Sequence, residues 1–286
     1  AALESGVVAV VADGFHTCAM TTAGGVKCWV RNNYGQLGDG TTTDRSTPMD
    51  VVGLGSGAVT IAAGESHTCA VSTAGGVKCW GLNQSGQLGD GTTTNRLTPV
   101  DVVGLASGGT AIAAGGYHTC AVLTVGGVKC WGGNWLGQLG DGTTTDRSTP
   151  VGVTGLGTGA AAIAAGDEHT CALTAAGGVK CWGWNWLGQL GDGTTTDRNT
   201  PVDVAGLGSG ATAIAVGSVH VCALTAAGGA KCWGWNGAGQ LGDGATFQRS
   251  TPVDVAGLAA AVAASAAGVA HTSADRRGGG GWGSRR

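Results

Sequence analysis

Ten cysteines and six histidines are the residues of this 286-residue chain whose types and spacing could do chemistry. The cysteines form five pairs ten positions apart, with none left over: Cys18 and Cys28, Cys69 and Cys79, Cys120 and Cys130, Cys171 and Cys181, Cys222 and Cys232. A histidine stands two residues before each pair, at His16, His67, His118, His169 and His220. Two chemistries compete for these groups. His16, Cys18 and Cys28 could ligate a metal, because residues two apart on a strand share a face, but the fourth ligand of a closed tetrahedral site is missing. If each pair instead brackets a hairpin, a three-residue loop with a left-handed glycine places the cysteines directly opposite one another, within disulfide reach. A two-residue loop would put them out of register. Five disulfides are therefore expected, and with them an oxidising location: extracellular, at the cell surface, or periplasmic.

The other reactive groups read as structural. One histidine per unit at a fixed register fits a hydrogen bond repeated in every unit. The Asp39 to Asp44 loop has two carboxylates and several threonines, as calcium loops do, yet its ligand density is low and the second Asp becomes Asn95 and Gln248 in other copies. Turn capping is the expected role of these carboxylates. No nucleophile elbow, phosphate-binding loop or acidic pair breaks the repeat, so no enzyme activity, no cofactor and no bound metal are expected.

These residues are positioned by a repeat. From Cys18 to Cys69 and onward the sequence recurs every 51 residues: a His-Thr-Cys entry, Gly-Gly-Val-Lys-Cys-Trp, GQLGDGTTTDR, then Thr-Pro-Val. Within residues 111 to 142, Ala-Ile-Ala-Ala-Gly and His-Thr-Cys-Ala-Val-Leu-Thr read as short strands, Gly126-Gly127 as a turn and Val128 to Trp131 as an alternating strand. GQLGDG reads as a tight loop whose Leu139 plugs inward. One proline per unit (Pro48, Pro99, Pro150, Pro201, Pro252) is expected at a turn or sheet edge. A unit this short must lean on its neighbours, as in a propeller or solenoid. With 12% charged residues and a net charge of -3, the chain has no electrostatic footprint for nucleic acid or an anionic membrane. No apolar run is long enough to cross a membrane, and residues 1 to 12 lack a signal-peptide pattern, so any export signal is expected upstream or already removed.

The motif GQLGDGT, the Lys-Cys-Trp-Gly-x-Asn run at Lys78 to Asn83 and the Ala-Ala-Gly-x-x-His lead-in at Ala113 to His118 resemble the repeat of the regulator-of-chromosome-condensation family. The resemblance covers nearly the whole chain and implies an all-β propeller, commonly of seven four-stranded blades. The paired cysteines are similar to those of the family's secreted bacterial branch. Among family members, nuclear ones are guanine-nucleotide exchange factors, a plant one is a tryptophan-based UV-B receptor, and a bacterial one inhibits β-lactamases through an aromatic face. Exchange activity requires a protruding element, and the uniform spacing here leaves no insertion for one. The repeated Trp29, Trp80, Trp131, Trp182 and Trp233 are expected in core or interblade packing.

Five full blades and an incomplete sixth are expected, in an open or poorly closed ring. Residues 1–272 form the repeat domain, and 273–286 an aberrant Arg/Gly-rich tail that reads as a frameshifted or truncated unit. Open edges would favour self-association. The units differ most in the loop before GQLG, where Trp135, Leu136, Trp184, Trp186, Leu187 and Trp235 supply apolar bulk in units three to five. A second variable set precedes each histidine: Phe15, Ser66, Tyr117, Glu168 and Val219. If exposed, the aromatic loops would anchor an as yet unknown protein or glycan. The leading expectation is thus a non-enzymatic secreted or cell-surface binding scaffold. A structural, self-assembling extracellular repeat protein is the alternative, and an exchange factor, by family analogy, a weaker one.

Overall fold

In the computed structural model the described residues are 6–258, together with the strands 262–267, 272–276 and 282–283. Five four-stranded antiparallel sheets follow one another along the chain, each with its strands paired in sequence order, and a sixth sheet has three described strands. The first sheet is β1 (Val7–Asp13), β2 (His16–Thr21), β3 (Val26–Val30) and β4 (Arg45–Asp50). Of the residues read as an aberrant tail, only those in Thr272–Arg276 and Trp282–Gly283 are described.

The central hairpin of each sheet takes its register from its turn. Thr21 N–H donates to the carbonyl of Gly25 and Gly24 N–H to that of Thr21, which leaves Thr22, Ala23 and Gly24 as a three-residue loop. Gly24 supplies the required left-handed conformation at φ +74°. Cys18 then falls opposite Cys28, with 4.1 Å between their Cα atoms, and the pair is disulfide-bonded. The other four pairs repeat this geometry.

The prolines lie inside strands. Pro48 is within β4, at the edge of its sheet, where the register slips between the pairs Cys28–Met49 and Val30–Arg45. At such a bulge the missing N–H of proline forfeits no ladder bond.

Clustering of contacts divides the chain into two units, residues 1–135 with 145–152 and residues 136–144 with 153–286. In the first, the trailing face of one sheet packs on the leading face of the next. Cys18, Cys28, Leu37 and Val51 of the first sheet share a core with Ile61 and Trp80 of the second. Cys69, Cys79, Leu88 and Val102 do the same with Ile112 and Trp131 of the third. The second unit repeats the pattern, with Cys171, Cys181 and Leu190 against Trp233. The first, second and fourth disulfides therefore fasten their hairpins and also form part of the floor on which the next tryptophan lies. Leu139 is buried, as its place in GQLG implied.

Candidate functional site

A rigid loop scaffold underlies the variable residues of each sheet. Asn32, wholly buried, accepts from Leu37 N–H at 2.9 Å through its side-chain oxygen and donates through Nδ2 to Asp39 and to the carbonyls of Thr41 and Thr43. Asp44 accepts from Asn32 N–H at 2.7 Å, and Asn95 does the same for Asn83 at 2.8 Å. Gln36 Oε1 accepts from Tyr34 N–H. Burial alone would raise the Asp39 carboxyl, but hydrogen bonds from Thr41 and Arg45 outweigh it and hold the group below its ordinary value. With Thr41 and Arg45 bound to it, this carboxylate caps a turn, as the sequence pattern implied, and the alternating loop positions 31, 33 and 34 are left to vary.

The two variable sets are hydrogen-bonded neighbours at one end of each of the five four-stranded sheets. Arg31 N–H donates to the carbonyl of Phe15, Leu82 to Ser66, Gly133 to Tyr117, Trp184 to Glu168 and Trp235 to Val219, at 2.8 to 3.2 Å. In the first sheet the Arg31 guanidinium lies 4.6 Å from the centre of the Phe15 ring. In the third, Trp135 meets Tyr117 edge to face at 5.4 Å.

Two of the loop tryptophans lie over a glycine two positions away. Trp135 lies over Gly133, where an added Cβ would clash with its ring, and it is 41% exposed. Trp235 similarly lies over Gly237 and is half-buried. The fourth sheet has Trp184 and Trp186 at these two positions, with no glycine under either. Trp184 is half-buried and Trp186 is 68% exposed. Leu136 and Leu187 are half-buried. Phe247, 75% exposed, is a further aromatic that loop comparison passed over. The signal was there: the TTTDR run of other units reads Ala-Thr-Phe-Gln-Arg at 245–249, and Asn236 Nδ2 donates to the Ala245 carbonyl, which ties this segment to the same loop scaffold. Beside these loops, burial raises the Asp167 carboxyl, partly offset by a hydrogen bond from Ser218.

The histidines are placed between sheets. His16 Nε2 lies 2.7 Å from Thr68 Oγ1, which donates to the main-chain carbonyl of Gln36 at 2.8 Å. Because the hydroxyl proton is used on Gln36, the His16 ring must be the donor to Thr68, which places its proton on Nε2. His67, Thr119 and Gln87 repeat the arrangement one sheet on. Burial lowers His16 and His118 to about 4, and burial with the neighbouring His16 and His118 lowers His67 to about 3, so these rings are neutral at physiological pH. This is the repeated hydrogen-bonding role that the fixed register suggested.

Comparison with known proteins agrees with this geometry. The Arabidopsis thaliana ultraviolet-B receptor UVR8 is 37% identical over 256 residues, 87% of this chain and 58% of its own length. The Homo sapiens E3 ubiquitin-protein ligase HERC2 is 34% identical over 257 residues, 88% of this chain but 5% of that protein. The chain thus spans little more than half of the first relative and a small part of the second. Among solved structures, human WBSCR16 superposes with a TM-score of 0.84 at 26% identity, covering 95% of this chain and 72% of that one. Yeast RCC1 (Prp20), solved with Kap60, gives 0.83 at 22% identity, covering 98% and 70%. The sheets are accordingly propeller blades, five complete and a sixth incomplete. A family model described as the RCC1-like domain matches residues 1–274, and the chain belongs to that family of β-propeller repeat proteins.

Proposed function

We propose that this propeller is a non-enzymatic binding scaffold of an oxidising, extracytoplasmic compartment, and that it engages a protein partner through the aromatic loops of its third to fifth blades. The observation that carries the reading is Trp186, 68% exposed on a loop whose neighbouring Asn185 and Gln189 are wholly buried and hydrogen-bonded. A large aromatic held out on a preorganised loop has little conformational entropy to lose on binding and is the residue type most enriched among interface anchors. On the same loop Trp184 and Leu187 are half-buried, and Trp135, Leu136, Trp235 and Phe247 are the aromatic and apolar side chains of the equivalent loop regions in the third and fifth blades. The oxidising location rests on five disulfides with no free cysteine. The buried neutral histidines and the saturated loop carboxylates leave these groups to structure instead of catalysis.

The test has two stages. Collisional quenching of tryptophan emission should fall sharply in Trp186→Ala, with the fold retained. A protein partner captured on the immobilised wild-type chain should then bind Trp186→Ala about 30-fold more weakly, the loss typical of a truncated hot spot. Unchanged affinity in both Trp186→Ala and Phe247→Ala would overturn the loop assignment, and recovery of glycans in place of proteins would overturn the partner class.

A further inference from the structure

The chain has five lysines, one per complete blade and all at the same register. Four of them pair with an aspartate directly opposite on the outer strand: Lys27 with Asp50, Lys78 with Asp101, Lys180 with Asp203 and Lys231 with Asp254. In the third blade the residue opposite Lys129 is Gly152. The Lys129 ammonium has no hydrogen bond or ion pair among the described residues, and its side chain is half-buried. Glycine is not required at 152 by the fold: its backbone is outside the left-handed region, and an added Cβ would meet nothing within 4 Å. Its effect is to leave open the place where the other blades hold a carboxylate.

Two further departures from the repeat fall on the same hairpin. The hydroxyls of Thr21, Ser72, Thr174 and Thr225 accept from the main-chain N–H four residues on, and the third blade has Leu123 instead, half-buried against the core that the second and third blades share. Ala121 is opposite Lys129, so Leu123, two residues further along the strand, is the diagonal neighbour of Lys129 on the same face. At the hairpin tip, where the other complete blades have alanine, Val125 is 70% exposed. One blade thus combines an uncovered cation with added apolar surface, at the end of the hairpin away from its aromatic loop.

We propose that this hairpin end of the third blade docks an acidic segment of a protein partner, whose carboxylate takes the place beside Lys129 that aspartate holds in the other four complete blades. Charge complementarity selects the carboxylate, and the four internal pairs show that the position opposite this lysine suits one. Leu123 and Val125 select a peptide over a sugar acid or free phosphate, because an apolar residue beside the acidic one gains contact there that a hydroxylated or inorganic anion would not. The proposal is independent of the aromatic loops.

The test is titration of the intact, isotope-labelled chain with the blocked peptide Gly-Glu-Val-Gly, followed by amide chemical shifts, with Gly-Gln-Val-Gly as the neutral match. Saturable shifts confined to residues 123–129 and 150–152 are expected, with a Kd of ~1 to ~10 mM for so small a probe and weaker binding as salt is raised. Lys129→Gln and Gly152→Asp should each weaken binding at least about fivefold, the second by filling the site with the chain's own carboxylate. Gly152→Asn adds similar bulk without charge and should bind within about twofold of the wild type. Gly152→Asp enters open space and forms a pair that four blades already have, so weaker binding in that variant is not loss of the fold. No saturable shift up to ~50 mM peptide, equal binding of the glutamine peptide, unchanged binding in Lys129→Gln, or equal weakening in Gly152→Asn and Gly152→Asp would overturn the site. Galacturonate binding more tightly than the peptide would overturn the partner class.

Discussion

The indole of Trp80 donates to the main-chain carbonyl of Gln36, one blade earlier, at 2.9 Å, and the hydroxyl of Thr68 donates to the same oxygen at 2.8 Å. One buried acceptor thus serves two donors from the next blade. Trp131 and Thr119 repeat this on Gln87, and Trp182 and Thr170 on Gln138. The interblade contact is apolar at its centre, with the disulfide and Leu37 against the indole, and polar at one point that fixes its alignment.

Removing either donor should expose that dependence. Trp80→Phe leaves the Gln36 carbonyl with one fewer donor and opens space beside Gly38, where the indole nitrogen now lies 2.7 Å from an ideal Cβ position. A loss of about 2 to 3 kcal/mol is expected, combining one lost buried hydrogen bond with a small cavity. Trp29→Phe, on a half-buried counterpart, should lose less than about 1 kcal/mol. Denaturant midpoints of the two variants make the comparison, and equal losses would contradict the interblade account.

The fifth blade lacks the hydroxyl, because Val221 stands where Thr68, Thr119 and Thr170 stand in other blades. Trp233 still donates to Gln189 at 2.9 Å. Thr68→Val should lose about 1 to 3 kcal/mol, since the buried His16 Nε2–H would lose its acceptor. Val221→Thr should be neutral or gain up to about 1 kcal/mol, because the new hydroxyl enters a site already shaped for it. Thermal unfolding of both variants checks the pair, and a large loss in Val221→Thr would show that the fifth interface is built differently.

Much of this was legible in the sequence. Ten-residue cysteine spacing, with Gly24 and its copies in between, is enough to fix hairpin register, because a left-handed residue at the end of a three-residue loop admits one pairing. The invariant tryptophan could be assigned to interblade packing because it recurs without variation. The prolines, expected at a turn or sheet edge, sit in edge strands at bulges, where the missing N–H forfeits no ladder bond. Exposure of the loop tryptophans is harder to read, since it depends on which neighbouring side chain or glycine each ring meets and not on loop position alone. Trp135 and Trp235 each lie over a glycine and Trp186 does not. Val30 and Phe247 each break the repeat once, and their meaning emerges only when the blades are superposed.

Acid should unfold the protein early. The folded histidines are depressed, His16 and His118 to about 4 and His67 to about 3, from the ordinary value of 6.5. A depressed folded pKa means the unfolded chain binds protons first. The stabilisation is full above pH 6.5 and is lost as pH falls below it, at up to about 1.4 kcal/mol per pH unit for each histidine. The decline should continue to about pH 4 for His16 and His118 and about pH 3 for His67. Stability from urea titrations between pH 7.5 and 4.5 should therefore drop by several kcal/mol, and His67→Gln should flatten the slope. A flat profile across this range would contradict the neutral, buried assignment.

The disulfides should matter beyond their own hairpins. A bridge closing so short a loop is expected to contribute about 2 to 3 kcal/mol by restricting the unfolded chain. Cys69 and Cys79 also pack against Trp131 of the next blade, so the double variant Cys69→Ala, Cys79→Ala loses side-chain contacts across that interface as well. Its loss should be at least about 3 kcal/mol in total, and that of the pair Cys69→Ser, Cys79→Ser as large or larger, since two hydroxyls enter an apolar cluster. Amide exchange should rise in the third blade as well as the second; exchange confined to the second hairpin would show the bridge to be a purely local staple.

Val30 and Gly81 occupy equivalent positions with opposite constraints. A β-branched residue at φ +88° is a true backbone outlier, and such strain is worth of order 1 to 3 kcal/mol. Val30→Gly relieves it while giving the unfolded chain more freedom, worth up to about 1 kcal/mol in the other direction, so a net gain of about 1 kcal/mol is expected. Gly81→Val is the reverse experiment in the second blade. Its Cβ would meet the Ser66 carbonyl at 2.7 Å and the Gln36 Cα at 3.1 Å, with two more methyls to place. A loss above about 3 kcal/mol is expected there, from strain and overpacking together. If chemical denaturation instead shows Val30→Gly to be destabilising, the valine is making native contacts that outweigh its backbone strain.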